Sequence, residues 1–337
     1  MDPLSPPPPA APFFDRARDA WVLSRYADVL AAFREPRLWP VGAKPRERSQ
    51  IGDEATSARL RVALQTALAP SQLAAWEARF IAMARETAER LPAAKPVDLV
   101  AEFAMPWSLR VAMLVTEADP ARGDELAELA RTVSAASAEP YDEALRSAKA
   151  AAHPQLERHF ENARMPMAAA AFVGLSYTLP SLLASMWVAL LRHPAETEKL
   201  RADRGLMPRA LEELLRYAGL PRVLHRQALA EVIVGSIAIA EGGRATLQVA
   251  SANRDAEQFP DPGRLDLSRR HAGQLSLGAG GHSCGGAVLI RMAAAVGVRV
   301  FVDRFAGATV REPVEWQGGS GFLAPKELWA EPVLSTA

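Results

Sequence analysis

The 337-residue chain is 49% apolar and 23% charged, the mixture of a globular protein able to bury a large core. Its 39 Lys and Arg balance 39 Asp and Glu, so no net charge draws it to nucleic acid or to an acidic membrane surface. A single cysteine excludes an internal disulfide framework and fits the reducing cytoplasm.

The first twelve residues, MDPLSPPPPAAP, hold six prolines and no basic start followed by an apolar run. Residues 1–18 therefore read as a Pro-rich disordered lead-in rather than a signal peptide or an anchor, and residues 19–337 as one domain. Trp21 to Tyr26 alternates like a short strand, and Ala27 to Arg34 continues as a helix with Val29, Leu30 and Phe33 on one side. A proline-broken loop runs from Pro36 to Ser57. Ala58 to Leu68 is helical with Arg59 and Arg61 near its start, where an arginine taken alone is simply solvated.

Pro70 to Arg164 is mostly amphipathic helix rich in Ala, Glu and Arg, and carries no recognisable chemistry. Met165 to Leu191 then holds no charged residue and is long enough to span a bilayer. Pro166, Gly174, Pro180 and several Ser and Thr interrupt it, which favours a central helix buried in a protein core. Pro180 lacks the N–H that would reach the carbonyl of Ser176, so a kink is expected there. Leu211 to Tyr217 is helical, with Glu213 and Arg216 on one face, and Val232 to Ile239 reads as strand.

The most specific stretch comes late: Leu277-Gly278-Ala279-Gly280-Gly281-His282-Ser283-Cys284-Gly285-Gly286. Five glycines in nine positions let the backbone turn tightly and let a flat ligand approach it. The apolar segment that follows predicts a helix with Cys284 at its N-terminus, where free N–H groups favour the thiolate. A lone cysteine is most often a small buried apolar residue, but that reading leaves the flanking glycines and His282 without a purpose. A lone thiolate suits one soft metal bond, and haem iron is the leading candidate.

This loop resembles the haem-ligand loop of cytochromes P450, Phe-Gly-x-Gly-x-His-x-Cys-x-Gly, with Leu277 at the Phe position and Gly278, Gly280, His282, Cys284 and Gly286 in register. The resemblance implies a mainly α fold, a helical prism with small β-sheets, holding haem b (iron protoporphyrin IX) between this loop and the central helix. It makes Cys284 the axial ligand of the iron. It assigns propionate contacts to Arg61 and Arg226, and places Gln274 where many relatives have a propionate-binding His. Ser57 stands where the family pairs a His with the position of Arg61. Glu213 and Arg216 fall on the family's Glu-x-x-Arg, with Arg264 as the expected third member of that buried group.

Counting back from Arg192-His193-Pro194 puts the family's Ala/Gly-Gly-x-Asp/Glu-Thr motif on Gly174 to Thr178. Thr178 keeps the alcohol, Tyr177 replaces the acid, and Leu175 replaces a glycine; a frame one residue earlier puts Ser176 on the acid. Thr178 and Tyr177 are the catalytic candidates, and a Thr bonded to its own preceding turn is the competing reading of Thr178. The resemblance implies a cytoplasmic monooxygenase acting on a small organic, secondary-metabolite substrate, with electrons from a separate ferredoxin and ferredoxin reductase docking near Arg59 and Arg291. Two readings stand beside it. One is a haem–thiolate enzyme that uses peroxide or rearranges its substrate; the other is a P450-like helper of a biosynthetic partner enzyme. A homodimer covering a short lid is compatible with all three.

Overall fold

The computed structural model describes residues 4–41, 54–92, 95–270, 273–305, 307–319 and 321–331; the side chains of residues 54–58, Arg61 and His282 lie outside it. Helices dominate, and the strands among the described residues make small sheets at the periphery. The largest sheet runs in the order Phe13–Asp15, Ala20–Leu23, Arg244–Leu247, Leu224–Ala228, Leu38–Pro40, antiparallel except where Ala20–Leu23 meets Arg244–Leu247. Helix Tyr26–Arg34 packs Val29, Ala32 and Phe33 into a core it shares with this sheet and with the hairpin Val232–Val234/Ile237–Ile239.

The main core surrounds one helix, Ala168–Arg192, which is long and apolar enough to cross a membrane by composition alone. Here the stretch from Leu179 to Leu191 is buried inside the protein almost without exception, as the interrupted apolar run predicted. Helix Ala287–Arg304 crosses it closely enough that a Cβ on Gly297 would sit 2.7 Å from Leu183 Cδ2, so only glycine fits the crossing. Helix Met207–Ala218 buries Met207, Ala210, Leu211, Leu214, Leu215 and Ala218, the i, i+3, i+4 stripe of a helix lying on a core.

Glu213 and Arg216 on that helix are both buried, and each oxygen of Glu213 takes one hydrogen bond of 2.8 Å from Arg216. The Arg216 guanidinium also donates to the carbonyls of Asn253, Pro262 and Arg264, so all five of its N–H groups are used. The third member is Arg269, whose Nε donates to Glu213 Oε2 at 3.0 Å, and not Arg264. Arg264 is exposed and contributes only its carbonyl, accepting from Arg216 and Arg269. The backbone between Arg264 and Arg269 turns so that the later side chain points inward, with the N–H of Asp266 also bonded to Glu213.

The Pro-rich N-terminus departs from expectation. Leu4 is buried against the main core and its carbonyl accepts from Arg254 Nη2 at 2.9 Å, while Ser24 Oγ bonds both the N–H and the C=O of Ala10. Phe13–Asp15 then forms the edge strand of the large sheet. Proline lowers the entropy lost on fixing an extended strap, which lets few contacts hold it. Truncating the chain before Pro9, or Leu4→Ala alone, is expected to lower stability by about 2 kcal/mol, read as a lower urea midpoint at unchanged slope.

Candidate haem–thiolate site

The cysteine loop is tied down by its own backbone. Cys284 N–H donates to Leu277 O at 2.8 Å, Gly278 N–H to Leu275 O at 3.0 Å, and Ser283 N–H and Oγ both donate to Gly280 O. Gly278 and Gly280 adopt positive φ (71° and 59°), the left-handed region that favours glycine. Gly280 also lies against the last turn of helix Tyr26–Arg34: a Cβ there would be 3.2 Å from Arg34 Cα and 3.3 Å from Phe33 O. Gly286 is the residue preceding helix Ala287–Arg304, so Cys284 sits just ahead of that N-terminus, as expected.

Cys284 is reached by solvent, yet protein atoms surround enough of it that burial pushes its thiol pKa up. The N–H of Gly286 and the charge of Arg291 act in the opposite direction and favour the thiolate. Desolvation is the larger effect, so the thiol stays protonated until a metal exchanges for its proton. A Cβ at Gly281 or Gly285 would meet nothing, which leaves room for a flat group beside the sulfur.

Arg226 lies on strand Leu224–Ala228, in register with Pro40 on one side and Ala245 on the other. It is 6% exposed; its Nη1 donates to His225 O, its guanidinium lies 5.7 Å from the Phe33 ring centre, and its Nε has no partner. Burial with no anion alongside pushes its pKa down to about 10. The Phe33 ring meets Arg226, and the Phe33 carbonyl lies near Gly280 of the cysteine loop. Arg61 falls on helix Glu54–Ala67, and its side chain, like that of His282, lies outside the described residues.

Gln274 is buried but engaged within the protein: Nε2 donates to Glu212 Oε2 at 3.2 Å and Oε1 accepts from Ser276 N–H at 2.7 Å. It braces the cysteine loop against helix Met207–Ala218 through one of its two amide hydrogens. Arg291 joins the same carboxylate, with Nε 2.6 Å from Glu212 Oε1. The cationic face expected around Arg59 and Arg291 is therefore partly neutralised, while Arg59 is exposed. Glu212 carries no sequence signal beyond its place beside Glu213. Asn253 completes the brace by accepting from Leu275 N–H and donating to Ser276 Oγ, which donates onward to Leu215 O.

The central helix runs unbroken past Pro180 because Gly174–Thr178 widens into a π turn, in which Leu179 N–H reaches Gly174 O. The wider turn removes the clash between the proline ring and the carbonyl four residues back, so the expected kink is absorbed as a π bulge. Leu175 fills core space. Ser176, Ser181 and Ser185 each bond the carbonyl four residues earlier. Thr178 does not: half-buried, its hydroxyl has no hydrogen-bond partner among the described residues. Tyr177 lies within electrostatic reach of Arg131 on helix Gly123–Ala138, a side chain itself paired with Glu128. The connection after that helix closes onto the sheet: the Tyr141 ring meets His225 edge-on at 5.0 Å, with Arg244 5.3 Å from the Tyr141 centroid. Neither Tyr141 nor His225 has a sequence pattern that marks it.

These residues fit an iron porphyrin. No group of three or more His, Cys, Asp or Glu gathers among the described residues, so a metal here would arrive in its own macrocycle and take one protein bond. Cys284 supplies a soft ligand reached by solvent, and the buried Arg226 Nε calls for a carboxylate. No family model matches the chain. It is 26% identical over 333 residues to cytochrome P450 107B1 of Saccharopolyspora erythraea, covering 85% of this chain and 82% of that one. It is 27% identical over 354 residues to nocardicin C N-oxygenase of Nocardia uniformis subsp. tsuyamanensis, covering 92% and 89%. Among solved structures it superposes on cytochrome P450 260B1 of Sorangium cellulosum So Ce56 with a TM-score of 0.80 at 25% identity, over 96% of this chain and 92% of that one. The helical fold and the cysteine loop are what a haem–thiolate protein would need. The chain is similar to cytochromes P450 over most of its length.

Proposed function

We propose that the protein is a haem–thiolate monooxygenase that oxidises a small organic, secondary-metabolite molecule with electrons from a separate redox partner of the ferredoxin type. The observation that carries this reading is the solvent-reached Cys284 in its glycine loop together with Arg226, a buried arginine whose Nε has no partner. Similarity to a cytochrome P450 and to an N-oxygenase, each over more than four-fifths of the chain, supports it. Haem b, when bound through the Cys284 thiolate, supplies the redox chemistry, and thiolate donation favours O–O cleavage.

The chain's own residues do the rest. Arg226 fixes the edge that bears carboxylates, the Gly286 N–H and Arg291 hold negative charge on Sγ, and the Gln274–Glu212–Arg291 brace keeps the loop in register. Thr178, its hydroxyl uncommitted, can donate and accept a proton at the π turn, and Tyr177 with Arg131 and Glu128 leads outward toward solvent. The carboxylate usually beside that alcohol is absent, and this favours a second reading in which peroxide, rather than dioxygen and a reductase, is the oxidant. Arg59, exposed near the start of its helix, suits the docking of an acidic electron donor, and covering of the opening by a second copy of the chain is compatible with either reading.

The test is the absorption spectrum of the purified, dithionite-reduced protein under carbon monoxide. A strongly red-shifted Soret band that vanishes in Cys284→Ala is expected. A colourless protein, or an unshifted band that persists in Cys284→Ala, overturns both enzyme readings and leaves the helper. Turnover with peroxide but not with ferredoxin, reductase and NAD(P)H would select the second reading.

A further inference from the structure

A cavity of about 210 Å³ lies where the C-terminal ends of the central helix and of helix Ala287–Arg304 meet, lined by Leu190, Leu191, Pro194, Phe301, Phe305 and Ala308. Fourteen residues of helix, about 21 Å, separate Phe301 from Ala287 beside the cysteine loop, and twelve residues, about 18 Å, separate Leu190 from Thr178. It is thus remote from the haem–thiolate site, and nothing said of that site bears on it.

The floor is apolar, and the polar residues of the wall are Thr197, Glu198 and Arg201. Thr197 Oγ1 is spent on Leu190 O at 2.7 Å, and at the rim Arg201 and Glu198 are joined by two bonds of 2.7 Å. A charged ligand would find no free counter-charge there. Apolar cavities lined by Leu and Phe, even smaller than this one, stay dry and accept benzene. Two rings set the shape: Phe305 stacks on Phe301 at 5.7 Å and 24°, and Phe301 stacks on Trp187 of the central helix at 5.4 Å and 16°. A ring entering beside Phe305 extends this stack toward Trp187 in the core.

We propose that this cavity is a second ligand site, which takes a small uncharged aromatic molecule of one ring. The stack makes the central helix the element that feels its occupancy. The competing occupant is the chain itself. Glu331, the last described residue, pairs with Thr309, which adjoins Ala308 at the cavity wall.

The experiment soaks crystals of the haem-loaded protein with iodobenzene, located by iodine anomalous scattering, and titrates fluorobenzene in solution by ¹⁹F line broadening. The expected result is an iodine peak beside Phe305. Ala308→Leu, which fills the cavity, removes that peak and weakens the solution binding more than about tenfold, while the Soret response to ligands at the haem is unchanged. Ala308→Val produces a smaller loss and carries the test if the leucine variant does not fold. No peak at the cavity, a peak unchanged in either variant, or binding at crystal concentration only overturns the proposal. So does a peak that appears only in a chain ended at Glu331, which would make the cavity the seat of the chain's own continuation.

Discussion

Glu213→Ala is expected to leave little folded protein. The carboxylate lies 1% exposed between two guanidiniums, Arg216 at 2.8 Å and Arg269 at 3.0 Å, and it also accepts the N–H of Asp266. Removing one partner of a buried pair costs about 3–5 kcal/mol because the other charge stays buried and unmatched. Here two cations lose their shared anion, against a total stability on the order of 5–15 kcal/mol. The measurement is soluble yield together with the urea midpoint. Arg269→Ala is expected to cost about 3 kcal/mol by the same reasoning, whereas Arg264→Ala keeps the backbone carbonyl that Arg216 and Arg269 use and should stay within about 0.5 kcal/mol of the parent. A large loss in Arg264→Ala with none in Arg269→Ala would return the third place to Arg264.

That pair of variants also marks where reading the sequence stops. Helix Met207–Ala218 and the Glu213–Arg216 pair are legible because helical spacing alone puts the apolar stripe inside and the two charges side by side. Which later arginine closes the group depends on how the chain turns between Pro260 and Arg269, and no periodicity encodes a turn of that kind. Cys284 was legible for a different reason: its glycines are demanded by backbone geometry, and Gly278 and Gly280 do adopt positive φ. The bond from Gln274 to Glu212 was not legible because an amide's partner is chosen in three dimensions. Pro180 announced a disturbance in the central helix but not its form, since a kink and a π turn relieve the same clash. The N-terminal prolines were misread because low complexity was equated with disorder. One buried leucine, one arginine and one serine suffice to hold a segment that has little entropy to lose.

Arg226→Leu is expected to move two quantities in opposite directions. A guanidinium held at a pKa of about 10, well below its ordinary value, is charged in both folded and unfolded chains at neutral pH. The folded state therefore carries a penalty of about 3 kcal/mol at every pH below about 10, and the penalty fades only as the pH climbs from there toward the unfolded value. Stacking near Phe33 and the bond to His225 O offset part of it. In haem-free protein the leucine variant should accordingly be more stable by about 1–2 kcal/mol, read from urea melts at pH 7. With haem the sign reverses, because a carboxylate at the unpartnered Nε converts the buried charge from a liability into a charge-assisted bond. Loss of that bond should weaken haem retention by roughly 10- to 100-fold, read as faster transfer of haem to apomyoglobin. Arg226→Lys keeps the charge but not the planar fork, and should fall between the two in haem retention while gaining nothing in the haem-free protein. A structural arginine would lose stability in both states on conversion to leucine, so opposite signs are the signature of a residue whose partner is the cofactor.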